Sequence, residues 1–195
     1  LLDRGLDIAS GILVIIDGGK GLRAAVRKVL AKRAVVQRCM WHKRENVVSH
    51  LPLRDQATWR RRLQKAMDRP TYAEARSSLE RLIAELDKIN QSAAASLREG
   101  FDEILTLHRL GVFAQLGRSF KTTNCLENVN GLIEDRCAKV DCWKNSNQRH
   151  RWLAAALLDI EPRLRVVTGY RHLPALRQAL RRELKLAGAA LKKAA

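Results

Sequence analysis

Acidic residues are scarce: 20 Asp and Glu stand against 37 Lys and Arg, a formal net charge of +17 over 195 residues. A folded chain this one-sided calls for a polyanionic partner, and nucleic acid is the first candidate. Long apolar runs are missing too. The longest, from Gly11 to Ile16, has the length of a strand, well short of the roughly 18 residues that would suggest a membrane-spanning helix. Cysteine is sparse and unevenly spaced (Cys39, Cys125, Cys137, Cys142), which speaks against a secreted disulfide framework and for reduced thiols in a cytoplasmic protein. The first residues, Leu1-Leu2-Asp3-Arg4, include no initiator Met and do not follow the charged-then-apolar pattern of a signal peptide. They are expected to begin partway through a longer protein. Hydrophobic residues at 46% exclude a disordered basic tail, because such tails lack the apolar content to fold.

Gly11-Ile12-Leu13-Val14-Ile15-Ile16 is β-branched and continuous, the pattern of a strand buried on both faces of a helix-covered sheet. Lys20 to Ala31 reads as a helix on the spacing of Leu22, Ala25, Val26, Val29 and Leu30. Ala34 to Arg38 reads as a second strand, followed by a helix through Trp41 to His50. The β-α-β-α order predicts an α/β sheet with crossover connections. From Asp55 to about His108 helical periodicity is unbroken by any strand pattern, with Pro70 at a helix start. Gly111 to Phe120 reads as a linker. Asn124 opens a helix with an apolar face of Cys125, Leu126, Val129, Leu132 and Ile133; Ser146 can cap another that runs to Ile160 and stops at Pro162. A basic helix spans Pro174 to Leu186, and the end after Ala187 is expected to fray.

Two carboxylates stand out. Asp17 ends the first strand, where open α/β sheets place ligand chemistry, although an Asp before Gly18-Gly19 also serves simply to stabilise a turn. Glu127 lies three residues after Asn124, the spacing of a capping box, but it also projects from a first helical turn. Together they form the kind of pair that two-metal phosphoryl transfer uses. The stretch around Lys20 does not match a phosphate-binding loop, since Lys20 is followed by Gly21. Cys39 and His42 have ligand-like C-x-x-H spacing without a second tight pair, so a structural zinc is disfavoured, and nucleophilic catalysis lacks an orienting partner. Arg38, Lys43, Arg44, Arg149 and Arg151 belong to basic clusters suited to phosphates, and Trp143 and Trp152 suit either base stacking or core packing.

In order, Asp17-Gly18-Gly19-Lys20-Gly21-Leu22, then Gln37-Arg38-Cys39 with His42 and Asn46-Val47, then Thr122-Thr123-Asn124 with Glu127 and Asn130, resemble the Mutator-type bacterial insertion-sequence transposases. The resemblance covers residues 1 to about 185. It implies a partial RNase H-like sheet with a large all-helical insertion. Residues 1–51 would form the second part of the catalytic core, 52–120 the insertion, and 121–195 the helices completing the core with a basic tail. It further implies Mg²⁺- or Mn²⁺-dependent cleavage and strand transfer on double-stranded DNA. Asp17 and Glu127 would be the second and third carboxylates of an Asp-Asp-Glu triad and the metal ligands, with Cys39 and His42 the signature beside them. Arg38, Lys43, Arg44, Asn124, Arg149 and Arg151 would contact DNA, in a homo-oligomer associated with the bacterial nucleoid. The family's first Asp matches nothing in these residues, so the chain alone is expected to be inactive and incompletely folded. The alternative is a remnant that binds DNA without cutting it and interferes with intact transposase.

Overall fold

The computed structural model describes residues 2–186. The expected strand at residues 12–16 forms as β1 (Ile12–Ile16), and the crossover helix α1 (Lys20–Leu30) returns the chain to β2 (Ala34–Arg38). The two strands are parallel, in a register pairing Ile12 with Ala34 and Ile16 with Arg38. The β-α-β-α order holds, since α2 (Met40–Val48) follows directly. Burial of β1 on both faces does not. Only Ile16 is buried, and Leu22 and Val29 of α1 are 49% and 57% exposed. The reason is the size of the sheet: among the described residues it has two strands, so β1 has a partner along β2 alone. Along its other side runs an apolar cleft of about 580 Å³, walled by Leu2, Leu6, Ile12, Val14, Val29 and Leu30.

The outer edge of β2 is covered by side chains rather than by a strand. Thr106 Oγ1 donates to Val36 O (2.7 Å), Gln37 Nε2 donates to Ile104 O (2.9 Å), and Leu107 N donates to Gln37 Oε1 (2.9 Å). Gln37 is fully buried, and these bonds satisfy it.

The helical block forms as expected: α3 (Leu53–Met67), α4 (Tyr72–Ile89), α5 (Gln91–Arg98), α6 (Phe101–Ile104) and α7 (Thr106–Arg109). Pro70 precedes the fourth helix, whose cap is Thr71. Met40, Val47 and Val48 of α2 share one core with Leu63, Leu79, Leu86 and Leu97, so α2 joins the strands to the block. A second core gathers Val35 with Leu107, Leu116, Leu176 and Leu180. Residues 113–120, expected as a linker, are a helix, α8 (Phe113–Phe120). Its short apolar pattern of Phe113, Leu116 and Phe120 follows helical spacing, and burial of Leu116 in the second core stabilises a segment too brief to stand alone.

Helices α9 (Asn124–Cys137) and α10 (Ser146–Ile160) pack on each other, and α11 (Leu173–Glu183) packs on β1. The cap of α10 is Asn145, whose Oδ1 accepts from Gln148 N (2.9 Å), in place of the expected Ser146. The expected apolar face of α9 has no buried residue; Leu126 is 59% exposed. The fraying expected after Ala187 lies outside the described residues. No helix among the described residues is long and apolar enough to cross a membrane.

Candidate functional site

The carboxyl ends of β1 and β2 and the approach to α9 converge on Cys39. Its N–H donates to Ile16 O (2.7 Å), and the next N–H, of Met40, donates to Lys121 O (2.8 Å). These bonds exist because both strands end in step, so the residue following β2 meets the last residue of β1 and the chain entering α9. The Cys39 thiol is fully buried. His42 Nδ1 lies 3.2 Å from its Sγ, and Thr123 Oγ1 lies 3.5 Å from both groups. Thr123 Oγ1 donates to Glu127 Oε1 (2.6 Å), and His42 Nε2 stands 4.0 Å from that oxygen. The C-x-x-H pair therefore faces Glu127 through Thr123. The capping-box reading of Glu127 does not hold: the N-cap is Thr123, and Asn124 is the exposed first residue of α9.

Asp17 is exposed at the end of β1, and its Oδ1 accepts from Gly19 N (2.9 Å). The turn-stabilising role expected for an Asp here is thus present, and it leaves the carboxylate open to solvent. Beneath the turn sits Arg38, 3% exposed. Its Nε donates to Asp17 O (3.2 Å), and its Nη atoms reach the Glu99 carboxylate at 3.2 and 3.0 Å. Gly18 has φ of +108°, and a Cβ at this position would overlap the Arg38 guanidinium. Glycine is needed there on both counts.

Lys43, 1% exposed, donates to Ser96 O (2.8 Å), Glu99 O (2.6 Å) and Glu99 Oε2 (2.5 Å). Burial pulls its ammonium below the ordinary lysine range, with Glu99 opposing the shift and Arg38 adding to it. Burial pushes the Glu99 carboxyl upward, but the Lys43 bond and the charges of Lys43 and Arg38 outweigh it and hold the group below the usual carboxylate range. Arg38 and Lys43, expected on a DNA-facing surface, are instead engaged inside the protein, where they tie the end of β1 to the junction of α5 and α6. Arg44 is half-buried and bonded to Glu45 and Gln64, on the rim of a cleft of about 400 Å³ shared with Arg60, Arg61 and Lys65. Arg149 and Arg151 are exposed on α10.

Glu99 and Glu103 are the members of this network that sequence reasoning missed, and Thr123 reads in the sequence only as part of the Thr122-Thr123-Asn124 motif, without a role. Glu103 pairs with Arg23 of α1 (2.5 Å) and approaches Arg38 (3.9 Å). Sixty-one positions separate Arg38 from Glu99, and no local pattern announces that contact. Among the described residues no three His, Cys, Asp or Glu side chains converge on a metal position. The solvent-facing carboxylates of Asp17 and Glu127 are hard oxygen donors that fit part of the shell of a Mg²⁺ ion.

Residues 1–164 match the family model described as transposase, Mutator family. The chain is similar to the transposase for insertion sequence element IS256 in transposon Tn4001 from Staphylococcus aureus, at 28% identity over 162 residues, covering 82% of this chain and 40% of the relative. The Enterococcus faecalis transposase for the same element gives the same figures. The transposase for insertion sequence element ISRM5 from Rhizobium meliloti is 28% identical over 147 residues, covering 75% of this chain and 36% of the relative. The chain thus spans about 40% or less of the length of these curated relatives. No solved structure matches it.

Proposed function

Because the chain belongs to the Mutator family of transposases, we propose that it carries the second and third carboxylates of an Asp-Asp-Glu site that cuts and rejoins double-stranded DNA at the ends of an insertion sequence. The observation that carries the reading is the meeting of the two strand ends and the start of α9 at Cys39, which brings the elements bearing Asp17 and Glu127 side by side. Cys39 and Thr123, which carry that meeting, are 84 positions apart in the chain.

Asp17 and Glu127 would hold Mg²⁺ or Mn²⁺, which when bound activates the attacking oxygen and stabilises the leaving one. Thr123 and His42 hold the Glu127 carboxylate at the mouth of α9, and Arg38 fixes the turn that presents Asp17. Among the described residues, those up to 51 and those from 121 onward serve as parts of an RNase H-like core, and 52–120 as a helical insertion that braces it. DNA contacts fall to the exposed groups, Asn124, Arg149 and Arg151, with Arg44 on its rim; Arg38 and Lys43 act internally. The active assembly is a homo-oligomer on DNA in the bacterial nucleoid.

The test is cleavage and strand transfer by a longer transposase that contains this chain. Asp17→Asn and Glu127→Gln are each expected to abolish cleavage while leaving DNA binding intact. Unchanged cleavage in either variant refutes the assignment. A second reading, a DNA-binding remnant that interferes with intact transposase, is favoured by the lack of a three-ligand cluster among the described residues. On that reading the 195-residue chain, added to the longer enzyme, lowers its cleavage without cutting DNA itself.

A further inference from the structure

Beyond the strand-end site, the loop entering α10 forms a cleft of about 550 Å³ lined by Lys144, Asn145, Gln148, Arg151, Trp152 and Ala155. Its volume lies in the roughly 300–1,000 Å³ range of small-ligand pockets. Two cations and no carboxylate line it. Its wall includes Trp152, which is 40% exposed, so part of the indole is open to a partner.

The wall is ordered before any ligand arrives. Trp152 meets Trp143 edge-on, with ring centroids 6.4 Å apart and planes at 84°. Gln148 Oε1 accepts from Lys144 N (2.8 Å), and Asn145 Oδ1 accepts from Gln148 N (2.9 Å), which pin the loop to the helix. Gln148 keeps its NH₂ group as a donor. An indole for a flat ring, an amide for a base edge and two cations for phosphates are the complement of a nucleotide. A paired base has both faces occupied by its neighbours in the stack. Only an unpaired or extruded base offers a face to Trp152.

We infer that this cleft binds an unpaired nucleotide of DNA, its base stacked on Trp152 and its flanking phosphates neutralised by Lys144 and Arg151. The inference rests on the proposal that the chain acts on DNA, and it names a substrate feature: a frayed or extruded nucleotide beside the duplex. No metal or bond cleavage enters it.

The experiment measures binding of the 195-residue chain, in EDTA, to fluorescein-labelled oligothymidylate and to a duplex of equal length, with a 2-aminopurine oligonucleotide reporting stacking. The unaltered chain is expected to quench 2-aminopurine. Trp152→Ala should weaken single-strand binding roughly 5- to 140-fold, the change corresponding to one stacked base. Duplex binding should be unchanged, and Trp152→Phe should restore most of the loss. Lys144→Ala and Arg151→Ala should each lower the salt dependence of single-strand binding by about 0.7 in log–log slope. Equal losses for duplex and single strand, or absence of 2-aminopurine quenching by the unaltered chain, overturn the inference. So does tighter binding of RNA of matching sequence. The quenching decides the matter even if Trp152→Ala fails to fold. Because every readout is taken in EDTA, none depends on a metal at Asp17 and Glu127, so failure of the metal-site proposal and failure of this one are separable.

Discussion

Replacing Glu99 with Ala is expected to destabilise the protein more than replacing Lys43, the cation it neutralises. Glu99 contributes one carboxylate to two buried cations, Arg38 and Lys43, whose side chains are 4% and 1% exposed while its own is 50% exposed. Removing one partner of a buried ion pair costs about 3–5 kcal/mol, mainly because the other charge is left buried and unpaired. Half-exposure of Glu99 and the nearby Glu103, 3.9 Å from Arg38 Nη1, reduce this to about 2–3 kcal/mol, roughly a 30- to 150-fold change in the unfolding constant. Lys43→Met removes the buried charge itself, fills its volume and leaves Arg38 paired, so it should cost about 1 kcal/mol or less. Urea unfolding followed by circular dichroism at 222 nm measures both. The acid limb gives a second readout. Because the folded-state pKa of Glu99 lies below its ordinary 4.5, its contribution is fully present above pH 4.5 and is lost as pH falls through the folded value. Glu99→Ala should flatten that limb. A cost below about 0.5 kcal/mol for Glu99→Ala, or a greater cost for Lys43→Met, would refute the claim that two buried cations depend on this carboxylate.

Gly18→Ala forces a side chain into positive φ and into the Arg38 guanidinium, and should lower the urea midpoint by the equivalent of about 1–3 kcal/mol; retention of the midpoint would show that the turn can relax around a methyl group. His108 titrates in a separate window. Its Nε2 hydrogen-bonds Arg69 O (2.9 Å), its ring stacks on Phe113, and Nδ1 is buried without a partner among the described residues. Burial pulls its pKa below 6.5, partly offset by the Arg69 carbonyl and by Asp68. The fold therefore favours neutral imidazole: this contribution is intact above pH 6.5 and is lost as pH falls through the folded value. His108→Gln should flatten the stability profile between pH 7 and 5, and an unchanged slope would refute the assignment.

The local pieces of the fold were legible because local physics decides them. The β-branched run before Asp17 and the 3.6-residue periodicity expected over residues 20–31 and 55 to about 108 each read correctly, since propensity and pattern agree there. What failed depended on partners. Burial of β1 on both faces needs further strands, and the sheet described has two. The helix at 113–120 has only eight residues and depends on the second core. Asn145 displaces Ser146 as a cap by a single position, within the margin at which helix ends are uncertain from sequence.

At the site the legible part was the residue types, and the illegible part was which charges remain free. An arginine ending a strand reads as basic surface whether it faces solvent or lies beneath a turn. Only the fold shows that Arg38 reaches Glu99 across 61 positions and that Lys43 joins it. The count of 37 Lys and Arg therefore overstates how many cations are open to DNA, because some are already balanced by carboxylates in buried contacts. It understates how unevenly the rest are placed. The exposed Arg149 and Arg151 lie on α10 beside Trp152, and the clefts lined by Arg44 and by Lys144 each carry more cations than carboxylates. Affinity that scales with phosphates neutralised should then follow these surfaces and not the total charge. Neutralising Arg38 should alter stability first, and neutralising Arg151 should alter DNA binding first.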